Sequence, residues 1–138
     1  MPLTIELLAD RLSICRLAAD AVVPEWAMRG GGFRSVTRTS DELSIICATS
    51  GLSRGASTPL IMARDDGWRA LKLVGPFAFT EIGVLLQVAT PLAGAGISML
   101  PVATFDTDYL LVQETHLASA IAALRHAGHT VLEDGSAV

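Results

Sequence analysis

The residues best suited to chemistry are four acids at two expected turns, Asp41 and Glu42 in the first half of the chain and Asp106 and Asp108 in the second. Asp favours turns because its carboxylate bonds its own backbone, and that accounts well for three of these four. Asp108 admits a second reading. It opens the return of an expected strand pair, with the Thr104 hydroxyl and the Phe105 ring close by in sequence. If that edge faces the start of a helix at Thr80, an anion would meet free helix amides while a cation met Asp108. A zwitterion such as a free amino acid satisfies both ends. A structural turn and a ligand contact are equally open readings of these residues alone.

No other set of reactive residues converges. His116 and His126 stand ten residues apart on one expected helix, about 15 Å along its axis, too far to share an ion within one chain. His126 and His129 straddle a helix end, where a cationic side chain is favourable in its own right. No serine sits in the glycine-flanked strand-to-helix elbow that exposes a nucleophile. Gly30-Gly31-Gly32 lacks the lysine and helix that complete a phosphate cradle. Cys15 and Cys47 lie inside apolar runs and suit reduced core thiols, and no zinc-ligand spacing exists. The expectation is a protein that is not an enzyme and uses no cofactor or metal.

Composition narrows the partners. The chain has 138 residues, enough for one domain or for two small ones that lean on each other. Its 51% apolar content against 17% charged residues argues for a well-buried globular protein. A net charge of −4 with ten scattered basic residues lacks the footprint that phosphate backbones require, so nucleic acid is not an expected partner. Glu6 and Asp10 interrupt the short apolar runs of the N-terminus, so no signal peptide is expected, and no run approaches the roughly 20 apolar residues that span a bilayer. A cytoplasmic protein without a membrane partner follows.

The elements that would position Asp108 can be placed by period and punctuation. Leu3 to Leu8 and Leu12 to Leu17 suggest a hairpin around Ala9-Asp10-Arg11, and Pro24 opens a stub of helix through Met28. Phe33 to Arg38 and Leu43 to Ala48 form a strand pair about Thr39-Ser40-Asp41-Glu42. Asp65-Asp66-Gly67 between two apolar runs predicts another hairpin. With Thr80 as cap, Ile82, Leu85, Leu86, Ala89, Leu92 and Ala93 make a helical stripe, kinked by Pro91. Pro101 puts the strand from Ile97 to Thr104 at an edge or a bulge, Tyr109 to Val112 returns, Leu117 to Ala127 is a second helix, and His129 to Leu132 is a last strand.

From Trp68 onward this order is βαββαβ, a ferredoxin-like α+β arrangement. Sliding the first half by 66 positions lays Val36 on Val102, Glu42 on Asp108, Leu43 on Tyr109 and Ile45 on Leu111, which suggests a degenerate internal repeat. The Ser-, Gly- and Thr-rich stretch from Thr49 to Thr58 marks the division, with residues 1–60 as a degenerate N-terminal half and 61–138 as the complete unit.

On Trp68, Gly75-Pro76, Phe79, Gly83, Pro91-Leu92, Ala95-Gly96-Ile97-Ser98, Thr104-Phe105-Asp106-Thr107-Asp108-Tyr109, Leu111-Val112 and Ala127-Gly128-His129, the second half resembles the ACT domains of the aspartokinase and CASTOR arginine-sensor type. Through Trp26, Phe33, Thr37, Thr39 and Asp41-Glu42-Leu43-Ser44-Ile45, the first half is similar to the N-terminal part of small bacterial tandem-ACT proteins. The resemblance implies a tandem ACT fold and regulatory binding of a small molecule, an amino acid, without catalysis. It places the ligand between paired units and leaves room for a homodimer. The matching positions are Ile82 and Gly83 at the helix start, Thr104, Phe105 and Asp108 in the hairpin, and Ser44 and Ile45 on a partner unit's strand. No kinase or other effector domain is visible beside them. The alternative is an interaction module with a vestigial pocket, to which the Pro101 edge and the high apolar content point.

Overall fold

The computed structural model describes residues 2–29, 32–52, 61–75 and 83–133. Its elements run β1 (Thr4–Leu7), β2 (Leu12–Leu17), a 3-10 turn Glu25–Met28, β3 (Ser35–Arg38), β4 (Leu43–Ala48), α1 (Thr49–Leu52), β5 (Ala63–Leu73), α2 (Val84–Gly94), β6 (Leu100–Ala103), β7 (Asp108–Gln113), a 3-10 turn Glu114–His116, α3 (Leu117–His126) and β8 (Thr130–Leu132). Two compact units form, Asp10–Trp68 and Met1–Ala9 with Arg69–Val138. The sequence division at 60/61 therefore differs from the structural one, because β1 joins the C-terminal unit and β5 is divided near its middle. Among the described residues, no helix is long and apolar enough to cross a membrane.

In the N-terminal unit the strand order is β3-β4-β2-β5. Antiparallel pairing of β2 with β4, from Leu12 opposite Ala48 to Leu17 opposite Leu43, puts Cys15, Leu17, Leu43, Ile45 and Cys47 on one face. Trp26, Ala27 and Leu52 close over that face. Cys15 and Cys47 are free thiols in this core. The hydrogen bond between them pushes the Cys15 thiol up and holds Cys47 down.

Asp65-Asp66-Gly67 does not turn the chain. It lies inside β5, where the register passes from Leu12 opposite Trp68 to Ile14 opposite Asp65 and leaves Asp66 and Gly67 together against Ser13. This is a β-bulge, and Gly67 at φ 84° supplies the left-handed residue it needs. The flanking runs stay extended because each has a ladder partner, β2 on one side and β1 on the other. Ser13 is fully buried, and its hydroxyl donates to Asp66 Oδ1 at 2.6 Å while lying 2.7 Å from Thr49 Oγ1. Arg64 Nε donates to the same Asp66 oxygen at 2.8 Å. Arg64, and after it Ser13, hold the Asp66 carboxyl below its ordinary value of 3.8.

The C-terminal unit has the order β6-β7-β5-β1-β8. Its β5-α2-β6-β7-α3-β8 path is the expected ferredoxin-like α+β arrangement, with β1 inserted between its first and last strands. The expected hairpin of β1 with β2 is absent, since β1 pairs antiparallel with β5 and parallel with β8. β6 pairs with β7 alone among the described strands, which gives Pro101 the edge position its missing N–H requires. Ile5, Leu71, Leu73, Leu110, Val112 and Val131 form the core with Val88 and Leu92 of α2 and Ile121 and Leu124 of α3.

The phase of α2 differs from the expected stripe. Val88 and Leu92 are fully buried with Val84 and Leu85 packed beside them, whereas Leu86 is 64% exposed. Nearly every residue from Val84 to Ala89 is apolar, so periodicity permits several faces and contact with the sheet selects one. Pro91 frees the Gln87 carbonyl, which would otherwise accept a helical N–H. His129, buried to 8% exposure, lies with Nε2 3.0 Å from that carbonyl and with Nδ1 accepting the Leu3 N–H at 3.0 Å. The neutral imidazole protonated at Nε2 satisfies both contacts.

Two outcomes follow. Replacing Asp66 with Asn should lower stability at neutral pH, and the deficit should shrink as pH falls below about 4. A depressed carboxyl stabilises above its unfolded pKa and loses that contribution as it protonates. Urea unfolding at pH 7 and pH 3 measures both, and a constant deficit would count against the network. His129→Leu should cost about 1–3 kcal/mol, and less in a Pro91→Ala background where a helical N–H reaches Gln87. A double-mutant cycle reads that coupling.

Candidate functional site

The hairpin of β6 and β7 carries the candidate carboxylate. Ala103 pairs with Asp108 at its end, and residues 104–107 close the turn. The Thr104 N–H donates to the Thr107 carbonyl at 2.9 Å, the Thr104 hydroxyl donates to the same carbonyl at 3.0 Å, and the Thr107 N–H donates back to Thr104 Oγ1 at 3.4 Å. The buried Thr107 hydroxyl donates to the Leu73 carbonyl, tying the turn to the end of β5. Phe105 is 79% exposed at the tip. Asp108 follows as the first residue of β7, half-buried, and among the described residues its carboxylate has no hydrogen-bond or ion-pair partner. The Thr104 hydroxyl, expected beside a ligand, gives its proton to the turn.

The N-terminal unit contains the same hairpin. Thr39 N–H donates to the Glu42 carbonyl at 2.9 Å, Thr39 Oγ1 to that carbonyl at 3.4 Å, and Glu42 N–H to Thr39 Oγ1 at 3.2 Å. Ser35 opposite Ile46 and Arg38 opposite Leu43 match Leu100 opposite Leu111 and Ala103 opposite Asp108. The two hairpins match in register at an offset of 65, Thr39 to Thr104, and not at 66. A slip of one residue exchanges the faces of every strand position. With the correct offset Glu42 matches Thr107, and Leu43, fully buried, matches Asp108. The repeat does not share the acid.

The remaining candidates border other features of their own units. Gly83 is the N-cap of α2 at φ 82°, and a Cβ built there would meet nothing within 4 Å. Its glycine serves the backbone conformation and not close helix packing. Gly83 borders a groove of about 470 Å³ with Leu86, Gln87, Thr90 and His129, and no residue of the Thr104–Asp108 hairpin lines it. Ser44 borders a pocket of about 210 Å³ with Arg16, Glu42, Arg64 and Asp65. Ile45 is fully buried in the N-terminal core. Ile82, like Thr80, lies outside the described residues. Among the described residues no three His, Cys, Asp or Glu side chains gather to hold a metal. Arg38 was missed from sequence, although Thr39-Ser40-Asp41 and Thr104-Phe105-Asp106 could have set the offset that reveals it.

With a βαββαβ unit and this hairpin in place, comparison with known proteins becomes decisive. The sequence model of the ACT domain matches residues 63–126. Residues 63–126 are an ACT domain. A second model, of an N-terminal domain, matches residues 10–54. The cytosolic arginine sensor for mTORC1 subunit 1 of Homo sapiens is 41% identical over 69 residues, which are 48% of this chain and 21% of the sensor. The chain thus spans about a fifth of the length of that relative. A crystal structure of a protein from Agrobacterium tumefaciens is 39% identical with a TM-score of 0.86, covering 99% of this chain and 96% of its own. The ligand-free regulatory subunit of aspartate kinase from Thermus thermophilus shares the fold at 12% identity and a TM-score of 0.62, over 90% of this chain and 97% of its own.

In this ACT unit, Gly83→Ala should cost about 1–2 kcal/mol, because an L side chain is strained at positive φ even with open space around it. Gly83→Asn should cost less, since Asn tolerates the left-handed region. Equal losses for the two variants in chemical denaturation would argue against backbone conformation as the cause.

Proposed function

We propose that this ACT-domain protein is a non-catalytic regulatory protein that binds a free amino acid beside Asp108. The single observation that carries the reading is half-buried Asp108, at the end of a hydrogen-bonded hairpin and with its carboxylate unpaired among the described residues. A carboxylate withdrawn from water is stabilised by a cationic partner, and an amino acid supplies an ammonium group. The similarity of about half the chain to an arginine sensor supports this class and makes L-arginine the first probe.

Phe105 and Asp108 of the hairpin contribute one wall of the site. A second ACT unit, from another copy of the chain, contributes the other. Ser44 and Ile45 are not part of this proposal, because β4 lies inside its sheet between β3 and β2 and Ile45 is fully buried. The binding energy acts on the conformation or pairing of the units, and no bond is made or broken.

A thermal-shift screen of the twenty amino acids at millimolar concentration should return stabilisation by at least one of them. Asp108→Ala should then weaken that ligand by about 1–3 kcal/mol, roughly tenfold to a hundredfold in Kd by calorimetry. A screen with no stabilising amino acid would sink the proposal.

A further inference from the structure

In the N-terminal unit the place beside the hairpin end is already taken. Arg38 ends β3 opposite Leu43, as Ala103 ends β6 opposite Asp108. The Arg38 guanidinium donates from Nη1 to the Ala19 carbonyl and from Nη2, at 2.6 Å, to the Ala21 carbonyl. Those carbonyls belong to the segment leaving β2, which is held in a turn by the Ala21 N–H donating to the Ala18 carbonyl at 3.0 Å. The two hairpins share their turn hydrogen bonds and their register, so their differences at matched positions are differences of chemistry. One unit has a guanidinium and a buried leucine. The other has a methyl group and a carboxylate that is unpaired among the described residues.

We infer that Arg38 is a built-in occupant: its guanidinium fills, in the N-terminal unit, the place that the guanidinium or ammonium group of a free ligand fills beside Ala103 and Asp108 in the C-terminal unit. The inference rests on the amino-acid reading of Asp108 and deepens it in two ways. The ligand is one whose cationic group approaches Ala103, and the chain takes up one such ligand, not two.

The exchange of residues follows from the physics of tethering. Arg38 is attached to the chain, so its guanidinium loses little freedom on docking, and two carbonyl dipoles suffice to hold its planar fork of donors. A free cation also loses translational and rotational freedom and needs a stronger partner, which a formal charge supplies. Ala103 is smaller than arginine and exposed, and Asp108 brings the charge. Leu43 offers no charge for a second ligand, and Arg38 repels one.

The test has two arms. The first is run in an Asp108→Ala background, which removes the C-terminal carboxylate. There Arg38→Ala should lower the melting temperature, and methylguanidinium at about 10 mM should restore at least half of the loss. Sodium chloride at equal ionic strength should not, and methylguanidinium should leave Asp108→Ala alone unshifted. If Arg38→Ala does not fold, Arg38→Met, which keeps the aliphatic stem, takes its place. Equal response with and without Arg38 would overturn the inference.

The second arm titrates L-arginine into the intact chain by calorimetry. One equivalent per chain is expected, falling to none with Asp108→Ala, and two equivalents would overturn the inference. Rescue by methylguanidinium with no L-arginine heat from the intact chain would fail the amino-acid reading alone, so the two failures are distinguishable.

Discussion

Backbone pairing along β5 is the constraint on which the other elements depend. Every backbone N–H and C=O in the interior of a sheet must find a partner, since an orphaned one costs about as much as a lost hydrogen bond. Eleven residues from Ala63 to Leu73 are too many for one neighbour, and β2 serves the first part while β1 and β7 serve the rest. That division explains why the N-terminal strand belongs to the C-terminal unit. It also explains the bulge at Asp66-Gly67, where the ladder with β2 absorbs one extra residue and turns a carboxylate onto the buried Ser13 hydroxyl.

The same economy shows at Pro91 and His129. A proline inside a helix leaves a carbonyl without its donor, and a buried histidine needs two partners; here each meets part of the other's requirement. His129 thereby links α2 to the start of β1 through the Leu3 amide. His129 thus holds two backbone groups, a role other than the helix-end cation expected from sequence.

Repetition within the chain separates scaffold from chemistry. Both hairpins close with a Thr hydroxyl bridging a four-residue turn, so turn geometry is common property. Asp108 and Arg38 are not. In each case the matched residue in the other unit, Leu43 or Ala103, lacks the charge, so these are positions where the halves differ in chemistry.

Residue types and spacing by themselves determined the βαββαβ order, the restriction of Pro101 to an edge or a bulge, the turns at Thr39 and Thr104 and the candidacy of Asp108, because each follows from local chemistry: a missing N–H, a turn-forming side chain, a period of apolar residues. The phase of α2 was not legible, since a segment apolar on several sides has several acceptable faces. Nor was the role of Asp-Gly at 66–67, because the same pair suits a turn or a bulge and only partner strands on both sides keep it extended. The offset of the repeat lay in the sequence at Thr39 and Thr104 but was obscured by a competing match of acids one residue away. Tertiary structure decided that β1 crosses to the other unit, that Asp108 stands unpaired among the described residues, and that Arg38 is spent on the carbonyls of Ala19 and Ala21. These are contacts between residues far apart in the chain, and their energies depend on geometry that no local pattern records.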